Sequence, residues 1–269
     1  MHHDHEGGLA PGAALITGAG RRLGAAMAQA LGAMGWDVAL HCMSSRQGAD
    51  AAAAEVEAAG GRAAVLQADL LDAAEVDALV PRAAEALGRP LTLLVNNASI
   101  FEPDAIGTVT AASWDRHVGS NLRAPLFLTQ AFAAQAPEAG TDPEGWPVAR
   151  ACVVNMIDQR VWKPTPAFMT YSLAKHGLWA LTRTSSQALA PAIRVNAIGP
   201  GPTLRGDRQT QDHFDAQRRG TILGRGASPR DVCAALRYIL SADAVTGQMI
   251  AVDAGQHLGW RTPDVIGPE

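Results

Sequence analysis

Short apolar runs recur along the chain, separated by longer Ala-rich stretches that carry charges at helical spacing. The runs are Ala13–Thr17, Asp37–His41, Ala63–Gln67, Leu91–Val95, Ala151–Asn155, Ile193–Ala197 and Met249–Val252, mostly continuous rather than alternating. Strands covered on both faces have that pattern. The stretches between them predict helices with readable ends. Ala25–Met34 follows a Gly-rich turn, and Ala49–Ala59 stops at Gly60-Gly61. Ser113 is placed to cap a helix leading to Asn121. Ser228-Pro229 reads as an N-cap and first helical proline, opening a helix to Leu240. The β-α-β alternation predicts one α/β domain over residues 11–269, a doubly wound seven-stranded parallel sheet flanked by helices. Residues 1–10 read as a frayed, disordered tail. Residues 136–150, rich in Pro and Gly, predict a surface loop, and Thr203–Ser228 a flexible polar lid.

Composition narrows what such a domain meets. The 269 residues are 48% hydrophobic and 18% charged, with a net charge of −4 and a pI near 6.1. Nothing there favours nucleic acid or an anionic membrane surface. No apolar run approaches a membrane span. Cys42, Cys152 and Cys233 are far apart and form no CxxC, which fits buried thiols in a reducing cytoplasm. The start, MHHDHEGGLAPG, lacks the apolar core of a signal peptide. His2, His3 and His5 offer a weak metal site or part of a polar tail; the tail is the preferred reading, and no metal is expected.

The first candidate chemistry lies in Thr17-Gly18-Ala19-Gly20-Arg21-Arg22-Leu23-Gly24, between a strand and a helix. Glycines there let the backbone approach a pyrophosphate at a helix N-terminus. Tight turns also need glycine for purely structural reasons, and the flanking elements favour the dinucleotide reading. An NAD site usually has an acid at the end of the second strand. Here that region reads His41-Cys42-Met43-Ser44-Ser45-Arg46. Asp37 stands at the strand's start and is expected to point elsewhere. Arg22, His41, Ser45 and Arg46 could surround a 2′-phosphate with donors, so NADPH is preferred over NADH.

Tyr171 and Lys175 lie four residues apart in Tyr171-Ser172-Leu173-Ala174-Lys175 and share a helix face. Asn155-Met156-Ile157-Asp158 ends an apolar run before them. With Ala68-Asp69-Leu70, Asn96-Asn97-Ala98-Ser99, Asn121, Arg194-Val195-Asn196, Pro200-Gly201-Pro202-Thr203 and Val252-Asp253-Ala254-Gly255, the chain resembles the short-chain dehydrogenase/reductase family over residues 11–257. The resemblance implies a Rossmann fold and tetrameric assembly. It implies Tyr171 as proton donor and Lys175 as ribose ligand and depressor of the tyrosine pKa. Asn121 would hold a relay water. Asp69 and Leu70 would flank the adenine, Asn97 and Ala98 the adenosine ribose side, and Pro200, Gly201 and Thr203 the carboxamide end. Gly18, Leu23 and Gly24 belong to the cofactor turn.

Three positions depart from the common pattern: Arg22 for glycine, Ser99 for glycine, and Asp158 for the catalytic serine. Together with Phe101 they resemble the pteridine reductase and dihydromonapterin reductase branch. There the ring at Phe101 stacks on the pterin, and residues at Arg22 and Ser99 contact both cofactor and pterin.

A carboxylate at 158 makes chemical sense for a C=N bond. Ketone reduction develops negative charge on oxygen, which hydroxyl donors stabilise. Ring reduction needs a proton on nitrogen, which a carboxylate can relay through Tyr171. If Asp158 is instead protonated in a dry site, it donates like a hydroxyl and carbonyl reduction returns. The leading expectation is NADPH-dependent reduction of a dihydropterin. The rivals are a carbonyl or 3-oxoacyl thioester reductase of the same fold and a non-catalytic NADP(H)-binding sensor. Trp162 and Lys163 are expected at the pocket mouth, Trp179 in the core or at a subunit contact, and Trp260 over a neighbouring subunit's site.

Overall fold

The computed structural model describes residues 8–262. Its strands are β1 (Ala13–Ile16), β2 (Asp37–Cys42), β3 (Ala63–Gln67), β4 (Leu93–Asn96), β5 (Gly140–Thr141), β6 (Pro147–Val148), β7 (Ala151–Met156), β8 (Ile193–Pro200) and β9 (Met249–Val252). The helices are α1 (Arg22–Gly32), α2 (Arg46–Ala58), α3 (Ala73–Leu87), α4 (Ala111–Val118), α5 (Ala124–Gln135), α6 (Met169–Leu189), α7 (Gln211–Arg219) and α8 (Pro229–Ser241). Seven strands form one parallel sheet in the order β3-β2-β1-β4-β7-β8-β9. The order reverses beside β1, so the carboxyl ends of β1 and β4 open a crevice there.

The continuous apolar strands bury side chains on both faces. One face packs Ile16, Val38, Val95 and Val154 against Met27 and Leu31 of α1 and Leu236 and Ile239 of α8. The other packs Leu15, Leu94 and Val153 against Leu79 of α3 and Leu128 and Phe132 of α5. Polar side chains inside this core tie its elements together. Asn96 Nδ2 donates to Asn155 Oδ1 at 2.9 Å, and Asn155 Nδ2 donates to Thr182 Oγ1 at 2.9 Å, tying β4 and β7 to α6. The buried Arg194 guanidinium donates to the carbonyls of Ile239, Leu240 and Val245, holding the C-terminal end of α8.

Several expectations change in detail. Residues 8–10 are anchored rather than frayed: Gly8 N donates to Asp243, Leu9 N donates to the Leu240 carbonyl, and Leu9 packs on the core. His2, His3 and His5 lie outside the described residues. Residues 136–150 contain an antiparallel pair, β5 with β6, closed by Asp142–Trp146 hydrogen bonds. The N-cap of α4 is Thr110, and Ser113 completes a reciprocal capping box three residues later. The helix does not run on regularly to Asn121: residues Gly119–Arg123 form a π turn before α5. The proposed lid carries a helix, α7, capped by Thr210. Ser228 and Pro229 open α8 as read from the sequence. Among the described residues, no helix is long and apolar enough to cross a membrane.

Candidate active site

The crevice at the end of β1 is built by close backbone packing. Gly18 has φ +64°, and a Cβ there would lie 2.9 Å from Ala98 Cα. A Cβ on Gly24 would lie 2.2 Å from the Gly18 carbonyl oxygen. Thr17 Oγ1 accepts from the Asn97 and Ala98 N–H groups, and Asn97 Nδ2 donates back to the Thr17 and Gly18 carbonyls. Asn97 and Ala98 thereby brace the turn. No side chain caps α1, and its first turn holds no acid. The N–H groups of Arg22, Leu23 and Gly24 open a helix there, the polarity that suits an anionic phosphate. The donor set fits a dinucleotide.

The donors read from the sequence separate on inspection. His41 is buried: Nδ1 accepts from Gly18 N at 3.1 Å, and Nε2 lies 3.0 Å from the Ala68 carbonyl. Burial lowers its pKa. Both ring nitrogens are occupied inside the fold, so His41 is corrected from phosphate donor to turn support. Ser45 precedes α2 with no side-chain cap bond, and Arg46 is exposed and paired with Asp50 at 2.8 Å. Asp37 accepts from Arg62 N at the far end of β2, away from the crevice as expected. Asp69 Oδ1 accepts from Leu71 N, and Leu70 is buried beside it. Arg22 has φ +55°, the left-handed region usual for glycine. Its guanidinium donates to the carbonyls of Leu204 and Arg205, so here it holds the 203–228 segment. At the end of β8, Gly201 N donates to the Val252 carbonyl, and Thr203 Oγ1 donates to the Gly201 carbonyl.

Asp158, Tyr171 and Lys175 meet at the end of β7. Tyr171 Oη donates to Asp158 Oδ2 at 2.8 Å, and Asp158 Oδ1 accepts from Arg160 N at 2.9 Å. Lys175 Nζ donates to the Met156 carbonyl at 2.7 Å. Burial raises the Asp158 carboxyl above the usual carboxylate range, although the Arg160 N–H bond and charge act against the shift. Burial also draws Lys175 down to about 8. The tyrosine departs from expectation. Burial and the Asp158 carboxylate push its phenol well above the ordinary value, against the pull of the Arg160 charge. Tyr171 is therefore held as a neutral phenol that donates its hydrogen bond to Asp158.

Asn121 is fully buried next to this pair of strand ends. Its Oδ1 accepts from Ile100 N and its Nδ2 donates to the Ile100 carbonyl, both at 2.8 Å. The side chain clamps the strand end beside Ser99.

The wall above this acid pair is aromatic. Phe101 meets Tyr171 edge-on at 4.7 Å and stacks on Phe168 at 4.2 Å, with 9° between planes. Phe168 precedes α6 with φ +58° and contributes no cap bond. The cap comes from Asp104. Its carbonyl accepts from the N–H groups of Phe168 and Met169, and its carboxylate accepts from Thr170 N and Thr170 Oγ1. His117, fully buried, lies 2.7 Å from Thr170 Oγ1 and accepts from Glu102 N. Arg160 and Arg208 flank Phe101 at 5.4 and 5.9 Å. Sequence reading missed Asp104, Arg160, Phe168 and Arg208. Phe168 lies three residues before Tyr171, a spacing that puts both on one helix face; Asp104 and Arg208 give no local signal. Trp162 is exposed against His257, Trp179 is half-buried beside Leu178, and Trp260 is exposed.

A family profile described as Enoyl-(Acyl carrier protein) reductase matches residues 18–257. FolM Alternative dihydrofolate reductase 1 from Brucella canis, solved with NADP, superposes with a TM-score of 0.88 at 43% identity, covering 96% of this chain and 98% of that one. Pteridine reductase 1 of Leishmania tarentolae is 32% identical, covering 91% of this chain and 96% of the relative. The 3-oxoacyl-[acyl-carrier-protein] reductase of Synechocystis is 29% identical, covering 90% of this chain and 95% of the relative.

Proposed function

The chain belongs to the short-chain dehydrogenase/reductase family, and from that premise we propose that it is an NADPH-dependent reductase of a pterin ring, taking a dihydropterin to the tetrahydro form. The observation that carries this reading is the 2.8 Å hydrogen bond between Tyr171 and a half-buried carboxylate, Asp158, where the common family pattern has a serine. The relative from Brucella canis, with NADP, and the one from Leishmania tarentolae support it. The strand end without an acid and the exposed Arg46 favour the 2′-phosphate.

The Gly18–Gly24 turn and the start of α1 hold the pyrophosphate, Ser45 and Arg46 the 2′-phosphate side, and Pro200, Gly201 and Thr203 the carboxamide end. When bound, NADPH supplies the hydride. Phe101 gives a flat apolar wall for the substrate ring. Tyr171 donates its phenolic proton to a ring nitrogen and recovers one from Asp158 along their hydrogen bond. The raised pKa of Asp158 brings that carboxyl nearer to neutrality, where a proton donor is effective. Lys175 keeps a positive charge beneath the phenol while it passes the proton on, and its pKa of about 8 keeps it largely charged at neutral pH.

The rival with a specific observation is reduction of a 3-oxoacyl thioester. The Synechocystis relative supports it, and a protonated Asp158 could donate to a carbonyl oxygen. NADPH oxidation by the purified protein separates the readings. With 7,8-dihydropterin, a simple ketone and an acetoacetyl thioester offered in parallel, the expected result is turnover of the pterin with NADPH preferred over NADH. Turnover of the ketone or thioester instead would overturn the pterin assignment. Tyr171→Phe is expected to bind NADPH normally and lose roughly 100-fold or more of its turnover. No pterin turnover by the wild type, with tight NADPH binding, would favour a non-catalytic sensor.

A further inference from the structure

Arg160 was not among the residues that chemistry or resemblance pointed to, yet its cation stands nearer the aromatic stack than that of Arg208. Its guanidinium lies 5.4 Å from the Phe101 centroid and 5.0 Å from the Phe168 centroid. Those rings are themselves 4.2 Å apart and nearly parallel. A cation over the outer face of one ring would be much farther from the other. Near-equal distances place the guanidinium beside the stack, at the edge where a flat ring lying on Phe101 would end. Its Nη1 is buried and has no hydrogen-bond partner. A buried guanidinium N–H without an acceptor is costly unless a ligand completes it.

A second guanidinium approaches the same ring from the 203–228 segment. Arg208 lies 5.9 Å from the Phe101 centroid and donates to the Phe101 carbonyl. Among the described residues, neither Arg160 nor Arg208 forms an ion pair. The nearby acid Glu102 is committed to Arg116 through two hydrogen bonds. Asp158 accepts the Arg160 backbone N–H, not its guanidinium. Two cations without counter-ions therefore converge on the edge of the slot, on a chain whose net charge is −4.

We propose that Arg160 and Arg208 form a clamp for an oxyanion carried on the side chain of the substrate ring. This rests on the reading of Phe101 and Asp158 as a heterocycle site and names a substrate class for it: a ring with a carboxylate or phosphate substituent. Guanidinium forks suit both groups. Arg160 is the inner, specificity-determining contact, and Arg208 stands on the 203–228 side of the crevice.

The test compares three dihydropterins: one with a neutral hydroxymethyl group, its phosphate ester, and dihydropteroylglutamate. The wild type is expected to show a lower KM for one or both anionic forms, rising with salt, and a salt-insensitive KM for the neutral form. Arg160→Met is expected to raise the anionic KM about tenfold or more, with the neutral KM changed less than about threefold; loss of the Arg160 charge also lifts Asp158, so any change in kcat is expected to be the same for neutral and anionic substrates. Arg160→Lys recovers part of the loss. Preference for the phosphate ester alone or the glutamate alone identifies the source of the oxyanion. Equal rises in KM for neutral and anionic substrates, weakened NADPH binding, or no change of KM in the variant would overturn the clamp. If no pterin turns over, binding of 2-naphthoate and 2-naphthamide to the NADP-loaded protein separates the two readings. A naphthoate preference that Arg160→Met abolishes sustains the clamp while the pterin assignment falls. Equal binding of the two, or binding of neither, overturns the clamp as well.

Discussion

Asp158 is pushed up by burial, while the Arg160 N–H, the Arg160 charge, the Tyr171 hydroxyl and Lys175 pull it down. Burial prevails, and this has a consequence for stability. A carboxyl raised in the fold binds its proton more tightly there than in the unfolded chain. Its contribution favours the fold in acid and is lost as pH rises from the ordinary carboxylate range through the raised folded value. At neutral pH the site is therefore a cost to stability that serves the chemistry. Asp158→Asn keeps the shape and removes the charge. Its Tm is expected to exceed that of the wild type at about pH 7, with the gap shrinking toward about pH 4. Pterin turnover is expected to fall roughly 100-fold or more. Calorimetry across that pH range checks the first claim. A gap independent of pH would place the effect in packing rather than in titration. The carboxylate was legible in the sequence because one residue departs from a family pattern. The upward shift of the phenol was not, because it depends on how completely the fold excludes water from Tyr171.

The side chains proposed to be catalytic are only as well placed as α6, and α6 opens without a side-chain cap at its own N-cap residue. Phe168 cannot accept from the first-turn N–H groups, so Asp104 does so from a loop more than sixty residues earlier. Asp104→Ala removes the acceptor of Thr170 N and Thr170 Oγ1 together. A lost cap costs about 1 kcal/mol, with a range of roughly 0.5–2. The expected outcome is that stability loss in urea unfolding, accompanied by a lower kcat, because Tyr171 follows directly in the same turn. NADPH affinity should change little, since Asp104 lies away from the Gly18–Gly24 turn. A normal kcat in the destabilised variant would show that the cap does not position Tyr171. Local caps were readable where donor and acceptor are close in sequence, as at Ser228-Pro229-Arg230-Asp231. Asp104, the π turn at Gly119–Arg123 and the Arg22 contact with Leu204 and Arg205 depend on distant segments meeting, and no local pattern carries them.

At the scale of the whole molecule, the alternation of apolar runs was enough to give the parallel sheet, because strands buried on both faces leave a pattern that needs no partner to recognise. The same patterning argument applies to what the monomer leaves open. Helix α5 is apolar on nearly all sides, yet it buries only Ala124, Pro125, Leu128, Thr129 and Phe132. Leu126 and Phe127 remain 44% and 41% exposed, and Trp114 of the neighbouring α4 is 44% exposed. A helix hydrophobic all round is normally covered, and clustered exposed apolar side chains mark an interaction surface. A second copy of the chain is the occupant that the family resemblance implies, with the tetramer as the expected assembly. A charge on α5 should break such an interface without touching the crevice, which lies at the carboxyl ends of β1, β4 and β7. The wild type is expected to run as an oligomer in light scattering coupled to gel filtration. Phe127→Glu is expected to fall to a smaller species that keeps its circular dichroism and NADPH binding. A monomeric wild type, or a variant of unchanged mass, would mean that α4 and α5 face solvent and that the assembly lies elsewhere.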